Sequence, residues 1–105
     1  MKQYRQGDVF IRSVDKLPDG VKQVQRDNGR VILAYGEVTG HAHAIEDRGA
    51  TIYENPGVDD RFLILNGPAT IVHEEHGTIA LDPGVYQVNI QREYSPADLS
   101  RRVLD

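Results

Sequence analysis

Asp82-Pro83-Gly84-Val85-Tyr86-Gln87-Val88-Asn89-Ile90-Gln91-Arg92 (82–92) decides how the rest of the chain is read. Proline fixes its own φ and glycine admits positive φ, so Asp82-Pro83-Gly84 is a turn. Beyond it, Tyr86, Val88 and Ile90 alternate with Gln87, Asn89 and Gln91. A period of two puts the first set on one face and the second on the other, so the segment is a strand buried on one side. Antiparallel sheets with one wet face read this way.

The same grammar repeats toward the N-terminus. Pro18-Asp19-Gly20, Asp27-Asn28-Gly29, Asn55-Pro56-Gly57 and Asn66-Gly67-Pro68 are further turns, and most glycines recur about every seven to ten residues, the spacing of short strands. Between the turns lie β-branched or alternating runs. They predict strands near 9–14, 21–26, 31–35, 41–46, 51–54, 62–66, 70–74, 78–81 and 85–92. Phe62-Leu63-Ile64-Leu65 and Val31-Ile32-Leu33-Ala34 are apolar on both faces and read as central strands. Asp8-Val9-Phe10-Ile11-Arg12 reads as an edge. Only the C-terminus breaks the pattern. Ser95-Pro96-Ala97-Asp98 offers a hydroxyl cap, a proline at the first helical position and an acid behind it, followed by Leu99, Val103 and Leu104. The expectation is an all-β barrel or sandwich of about eight to nine short strands, carrying one short C-terminal helix. It forms a single domain over 1–105, with the β part at 1–93 and the helix at 95–104.

Composition excludes several functions. The chain has 105 residues, with 12 Lys+Arg against 16 Asp+Glu and a net charge of −4. That balance, with no strand interleaving basic and aromatic residues, argues against nucleic acid as a partner. No window approaches the roughly 18 consecutive apolar residues of a membrane span. The start MKQYRQGDVF has no apolar h-region. Cysteine is absent, which removes disulfides, thiolate metal sites and thiol catalysis. The expectation is a soluble, cytoplasmic protein.

All four histidines fall in two windows, Gly36-Glu37-Val38-Thr39-Gly40-His41-Ala42-His43-Ala44-Ile45-Glu46-Asp47 and Val72-His73-Glu74-Glu75-His76-Gly77. His41 and His43, two apart on a strand, share a face about 6.6 Å apart. Two rings at that spacing can converge on an ion held at about 2.0–2.1 Å. Asp47 has the same parity and could add a carboxylate; the flanking Gly40, Ala42 and Ala44 leave room. His73 and His76, three apart, face opposite sides of a straight strand, but a hairpin at 74–77 brings both to one rim. Alternatively, His73 alone points inward in register with Ile71, and His76 stays in solvent. The candidate ligands are therefore His41, His43, His73, His76 and Asp47. With nitrogen and oxygen donors only, Zn, Fe, Mn, Ni and Cu are not distinguishable. Glu74 and Glu75 are candidates for proton transfer. There is no Walker loop, and no nucleophile triad can be assembled from Ser13, Ser95 or Ser100.

Gly36…His41-Ala42-His43…Asp47 resembles the first motif of the cupins, double-stranded β-helix barrels, with Asp47 where cupins usually carry Glu. The second cupin motif is echoed by Gly77 and Pro83-Gly84, with Gln87 in place of its His and Gln91 in place of its Asn. The resemblance covers about residues 36–91. It implies a β-barrel with a divalent metal in its mouth, in a family spanning oxygenases, isomerases, lyases, sensors and storage proteins. Two functions follow. One is a non-catalytic metal-binding or structural module that presents its surface to a small molecule or a protein partner. The other is a cupin-type metal-dependent small-molecule enzyme, which at this size would complete its cavity as a homodimer. Ligand count discriminates between them: four protein ligands close a site, and three leave it open.

Overall fold

Two glycine turns show how the expected punctuation becomes structure. Gly7, at φ +61°, starts the two-residue connection between β1 (Gln3–Gln6) and β2 (Val9–Val14), whose register pairs Gln6 with Val9. Positive φ at that first position is what a tight hairpin of matching twist needs. Asn28 and Gly29, at φ 53° and 80°, close a second two-residue turn with Asp27 and Arg30 bridged across it.

The structure is a computed structural model that describes residues 2–35, 41–57 and 60–90. After β2 come β3 (Lys22–Val24), β4 (Val31–Tyr35), β5 (Ala42–Ile45), β6 (Ala50–Glu54), β7 (Arg61–Leu65), β8 (Ala69–Val72), β9 (Ile79–Leu81) and β10 (Gly84–Ile90). They form two antiparallel sheets, one in the order β1-β2-β10-β7-β6-β3 and the other in the order β4-β5-β8-β9. No described strand is hydrogen-bonded into both sheets, so the all-β fold is a two-layer sandwich and not a closed barrel.

The inner faces meet in one core. Val9, Ile11, Leu63, Leu65, Ile52, Tyr86 and Val88 come from the large sheet; Val31, Leu33, Ile45, Ile71 and Leu81 come from the small one. Tyr86 and Val88 sit in it, as the alternation in 85–92 requires, whereas Ile90, the third residue of that face, is exposed at the end of β10. Each fully buried aliphatic side chain contributes about 1.5–3 kcal/mol of transfer free energy.

Two readings of strand position change. β7 is central, between β10 and β6, as expected. β2, expected at an edge, is also central, because the polar β1 covers its flank; the sequence Gln3-Tyr4-Arg5-Gln6 carries no strand signal. β4, expected to be central, is the edge of the small sheet, and its two-sided apolar character comes from Ile32 being buried on the outer face with Ala42 and Ala44. β4 also shifts register between Ile32 and Ala34, which places small Ala34 opposite His43. The strand predicted at 70–74 stops at Val72. The residues it gives up form the turn that carries the second histidine window. The helix expected at 95–104, the glycine-bracketed 36–40 and the end of the strand predicted at 85–92 lie outside the described residues. Among the described residues, no helix is long and apolar enough to cross a membrane.

Candidate metal centre

Both histidine windows arrive at one end of the sandwich. β5 points His43 inward, on the same face as Ile45, with His41 just ahead of the strand. β8 pairs with β5 through Ala44–Val72 and Ile45–Ile71, so the residue after Val72 lands beside the start of β5. That residue is His73, and the connection to β9 carries Glu74, Glu75 and His76. The β1–β2 hairpin of the other sheet closes the third side with Gln6, Gly7 and Asp8.

The four rings form one cluster. Ring centres are 4.3 Å apart for His43 and His73, 4.7 Å for His73 and His76, 5.8 Å for His41 and His73, and 5.9 Å for His43 and His76. With about 2.0–2.1 Å to the nitrogen and roughly 1 Å more to the ring centre, two imidazoles on one ion have centres about 4.5–5.2 Å apart. The observed spacings bracket that range. Donor atoms of His41, His73 and Glu74 all lie within 4.8 Å of one another. His76 Nε2 packs so closely on Gly7 that a Cβ there would stand 2.7 Å from it. Glycine is favoured at position 7 by its φ, and a Cβ there would also have to push the exposed His76 ring aside.

The hydrogen bonds fix which nitrogens are available. Gln6 is 2% exposed, and its Nε2 donates to the carbonyls of Ile71 at 3.2 Å and Gly77 at 2.9 Å. Carbonyls only accept, so the opposite oxygen, Oε1, faces His43 Nδ1 at 2.8 Å and must receive its proton. His43 Nε2 keeps its lone pair, with Asp8 Oδ1 4.0 Å away. Burial first, and then the neighbouring His73, pushes the His43 imidazole down to about 4; Asp8 opposes them. His43 is therefore neutral at neutral pH and ready to ligate. His73 is held differently. Its Nδ1 accepts the backbone N–H of Glu75 at 3.0 Å, so the proton of the neutral ring sits on Nε2.

The carboxylates divide by role. Glu74 Oε1 accepts the Ala42 N–H at 2.9 Å, and that bond, ahead of its own backbone N–H, holds its carboxyl below the usual range. Glu75 Oε1 lies 3.8 Å from His41 Nδ1. Asp47 is placed otherwise: its Oδ2 accepts Thr70 N–H at 3.0 Å and its carbonyl accepts from Arg26 at 2.5 Å. The carboxylate grouped with His41 and His73 is Glu74, not Asp47. The β5 parity that favoured Asp47 does not carry beyond Ile45, where the strand ends.

A family model described as "Domain of unknown function (DUF8820)" matches residues 5–91. The chain belongs to this DUF8820 family. The matched span contains every residue of the cluster, from Gln6 to His76. No curated protein and no solved structure matches the chain. Gln6 and Asp8 were not foreseen as parts of the site in this DUF8820 chain. A Gln-Gly-Asp tripeptide marks a turn, and only the pairing of distant strands brings it to the histidines.

Proposed function

We propose that the protein is a divalent-metal-binding β-sandwich module. His41, His43, His73 and Glu74 hold the ion, and His76 closes the cluster against Gly7. The observation that carries this reading is the gathering of all four imidazoles of the chain at one end of the sandwich. Three imidazoles and a carboxylate without sulfur suit Zn, and equally Fe, Mn, Ni or Cu. The donors already grouped are three, His41, His73 and Glu74; His43 Nε2 joining them as the fourth closes the site, which favours a structural or binding role over catalysis. The ion then ties the β5 strand to the β8–β9 hairpin, and the surface around it meets a small molecule or a protein partner. The lack of cysteine suits a cytoplasmic setting.

A catalytic reading of cupin type rests on the open flank. His41 retains 23% of its side-chain exposure and Glu75 retains 63%, so water and a small substrate reach that side. There an ion would polarise a substrate oxygen or activate water, with Glu75 taking the proton.

Elemental analysis of tag-free protein tests the proposal, with individual His→Ala variants beside it. One equivalent of a transition metal, lost in His41→Ala, His43→Ala and His73→Ala together with a fall in melting temperature, supports the module. Metal-free protein whose stability is indifferent to added zinc rejects it. Variants that fold normally and lose turnover of a small molecule favour the enzyme.

A further inference from the structure

Gln6 stands outside any ligand set and yet touches every part that supplies one. Its amide donates to the carbonyls of Ile71 and Gly77, the two residues that flank the segment carrying His73, Glu74, Glu75 and His76. Its oxygen accepts the Nδ1 proton of His43 from the neighbouring strand. One buried side chain of the large sheet therefore clamps the foot of the ligand-bearing hairpin and sets the ring orientation of a third strand's histidine. Both Nε2 hydrogens are donated, and Oε1 accepts the His43 proton. Rotating the amide end for end would aim an oxygen at two carbonyls, so the arrangement has only one sense.

We propose that Gln6 is the positioning residue of the metal centre: it locks His43 in the form that presents Nε2 and holds the His73–His76 hairpin at the distance an ion needs. The proposal rests on the metal-binding reading above. Metal-ligating histidines are generally oriented by an acceptor on their other nitrogen, and losing such a partner typically weakens metal binding about 10–100-fold. Gln6 acts on two elements at once, so its loss belongs at the upper end of that range.

The experiment compares the full-length wild type with Gln6→Leu, Gln6→Glu and, as a matched loss of glutamine hydrogen bonds elsewhere, Gln87→Leu. Gln87 bonds Arg12 and Asp60 on the outer face of the large sheet. Zinc affinity is measured by competition with a chromophoric chelator. The His43 tautomer is read in metal-free protein by long-range proton–nitrogen NMR, which a merely structural role would leave unmoved. The expected result is Nδ1–H in the wild type and in Gln6→Glu, which keeps the acceptor for His43 but turns an oxygen on the Ile71 and Gly77 carbonyls, and mixed tautomers in Gln6→Leu. Zinc affinity should fall about 100-fold in Gln6→Leu and stay within twofold in Gln87→Leu. If neither Gln6 variant folds, the wild type decides: a His43 ring that carries its proton on Nε2, or that populates both tautomers, overturns the proposal. Zinc binding left within twofold by a folded Gln6→Leu overturns the positioning role alone. A wild type that binds no zinc overturns the metal reading and this proposal with it.

Discussion

The β5–β8 pair has two ends that use the same device and reach different results. At one end Glu74, just after β8, accepts the N–H of Ala42 at the start of β5. At the other, Asp47, just after β5, accepts the N–H of Thr70 near the start of β8. Each strand is followed by a carboxylate that caps its neighbour. Around Asp47 the company is Arg26, whose guanidinium donates to the carbonyls of Gly29, Glu46, Asp47 and Ala50. Around Glu74 the company is imidazole. A carboxylate beside a strand end is a cap by default, and its neighbours decide whether it also becomes a ligand. A cationic fork makes the Asp47 end a structural knot; imidazoles in its place make the Glu74 end the proposed cation site.

The largest predicted contrast comes from removing the central group at each end. His43→Ala should lower zinc affinity by more than the roughly 10–100-fold that outer partners cost, and Arg26→Ala should leave it within twofold. Arg26→Ala instead leaves several carbonyls without their charged donor. Its cost of about 1.5–3 kcal/mol should appear as a drop in melting temperature whether or not metal is present. Chelator titrations and thermal melts of both variants check this; equal losses of zinc affinity would erase the distinction between the ends.

Acid should act on the imidazole end as well. The His43 ring titrates at about 4 in the folded protein, well below its ordinary value. Between about pH 6.5 and that value the unfolded chain binds the extra proton, so the stabilising contribution is complete above pH 6.5 and is lost as pH falls toward 4. The effect of this one group is at most about 3 kcal/mol. Denaturant unfolding of metal-free protein from pH 7 to pH 4 should show the decline, shallower in His43→Ala and unchanged in slope in Arg26→Ala. A His43→Ala profile as steep as that of the wild type would assign the acid sensitivity to other groups.

A subtler pair of substitutions separates cap from ligand. Glu74→Gln and Asp47→Asn both keep an oxygen that accepts a backbone N–H, so each should cost no more than about 1 kcal/mol of stability. Only Glu74→Gln should weaken zinc, by about tenfold or more; a similar loss in Asp47→Asn would restore Asp47 to the site.

Why the sequence reading placed Asp47, and not Glu74, beside His41 and His43 is physical. The alternation of Tyr86, Val88 and Ile90 and the turn chemistry at Asn28-Gly29 are local facts, and the architecture follows from them. The clustering of histidines in two windows is also visible, and antiparallel pairing of β5 with β8 turns it into one cluster. What failed was extrapolated parity: Asp47 shares a face with His43 only if β5 runs on, and it stops at Ile45. Gln6 and Asp8 were invisible because their part in the site depends on the packing of one sheet over the other. The edge assignment of β2 failed for a related reason, since β1 is polar and announces itself only by covering β2.

The smallest effect tests the state of a single proton. His73 Nδ1 accepts the Glu75 N–H, and the neutral ring therefore carries its proton on Nε2. A neutral imidazole has one lone pair to give, so His73 can bind an ion through Nδ1 only by releasing that N–H. Thr70 N–H, bonded to Asp47 at the opposite end, has no such competitor. Zinc titration followed by amide NMR should move the Glu75 resonance and speed its exchange by on the order of tenfold, consistent with losing one bond of about 1 kcal/mol, while Thr70 stays in place. If zinc binds stoichiometrically and the Glu75 amide does not respond, His73 keeps its turn bond, and the centre is built from His41, His43 and Glu74 without it.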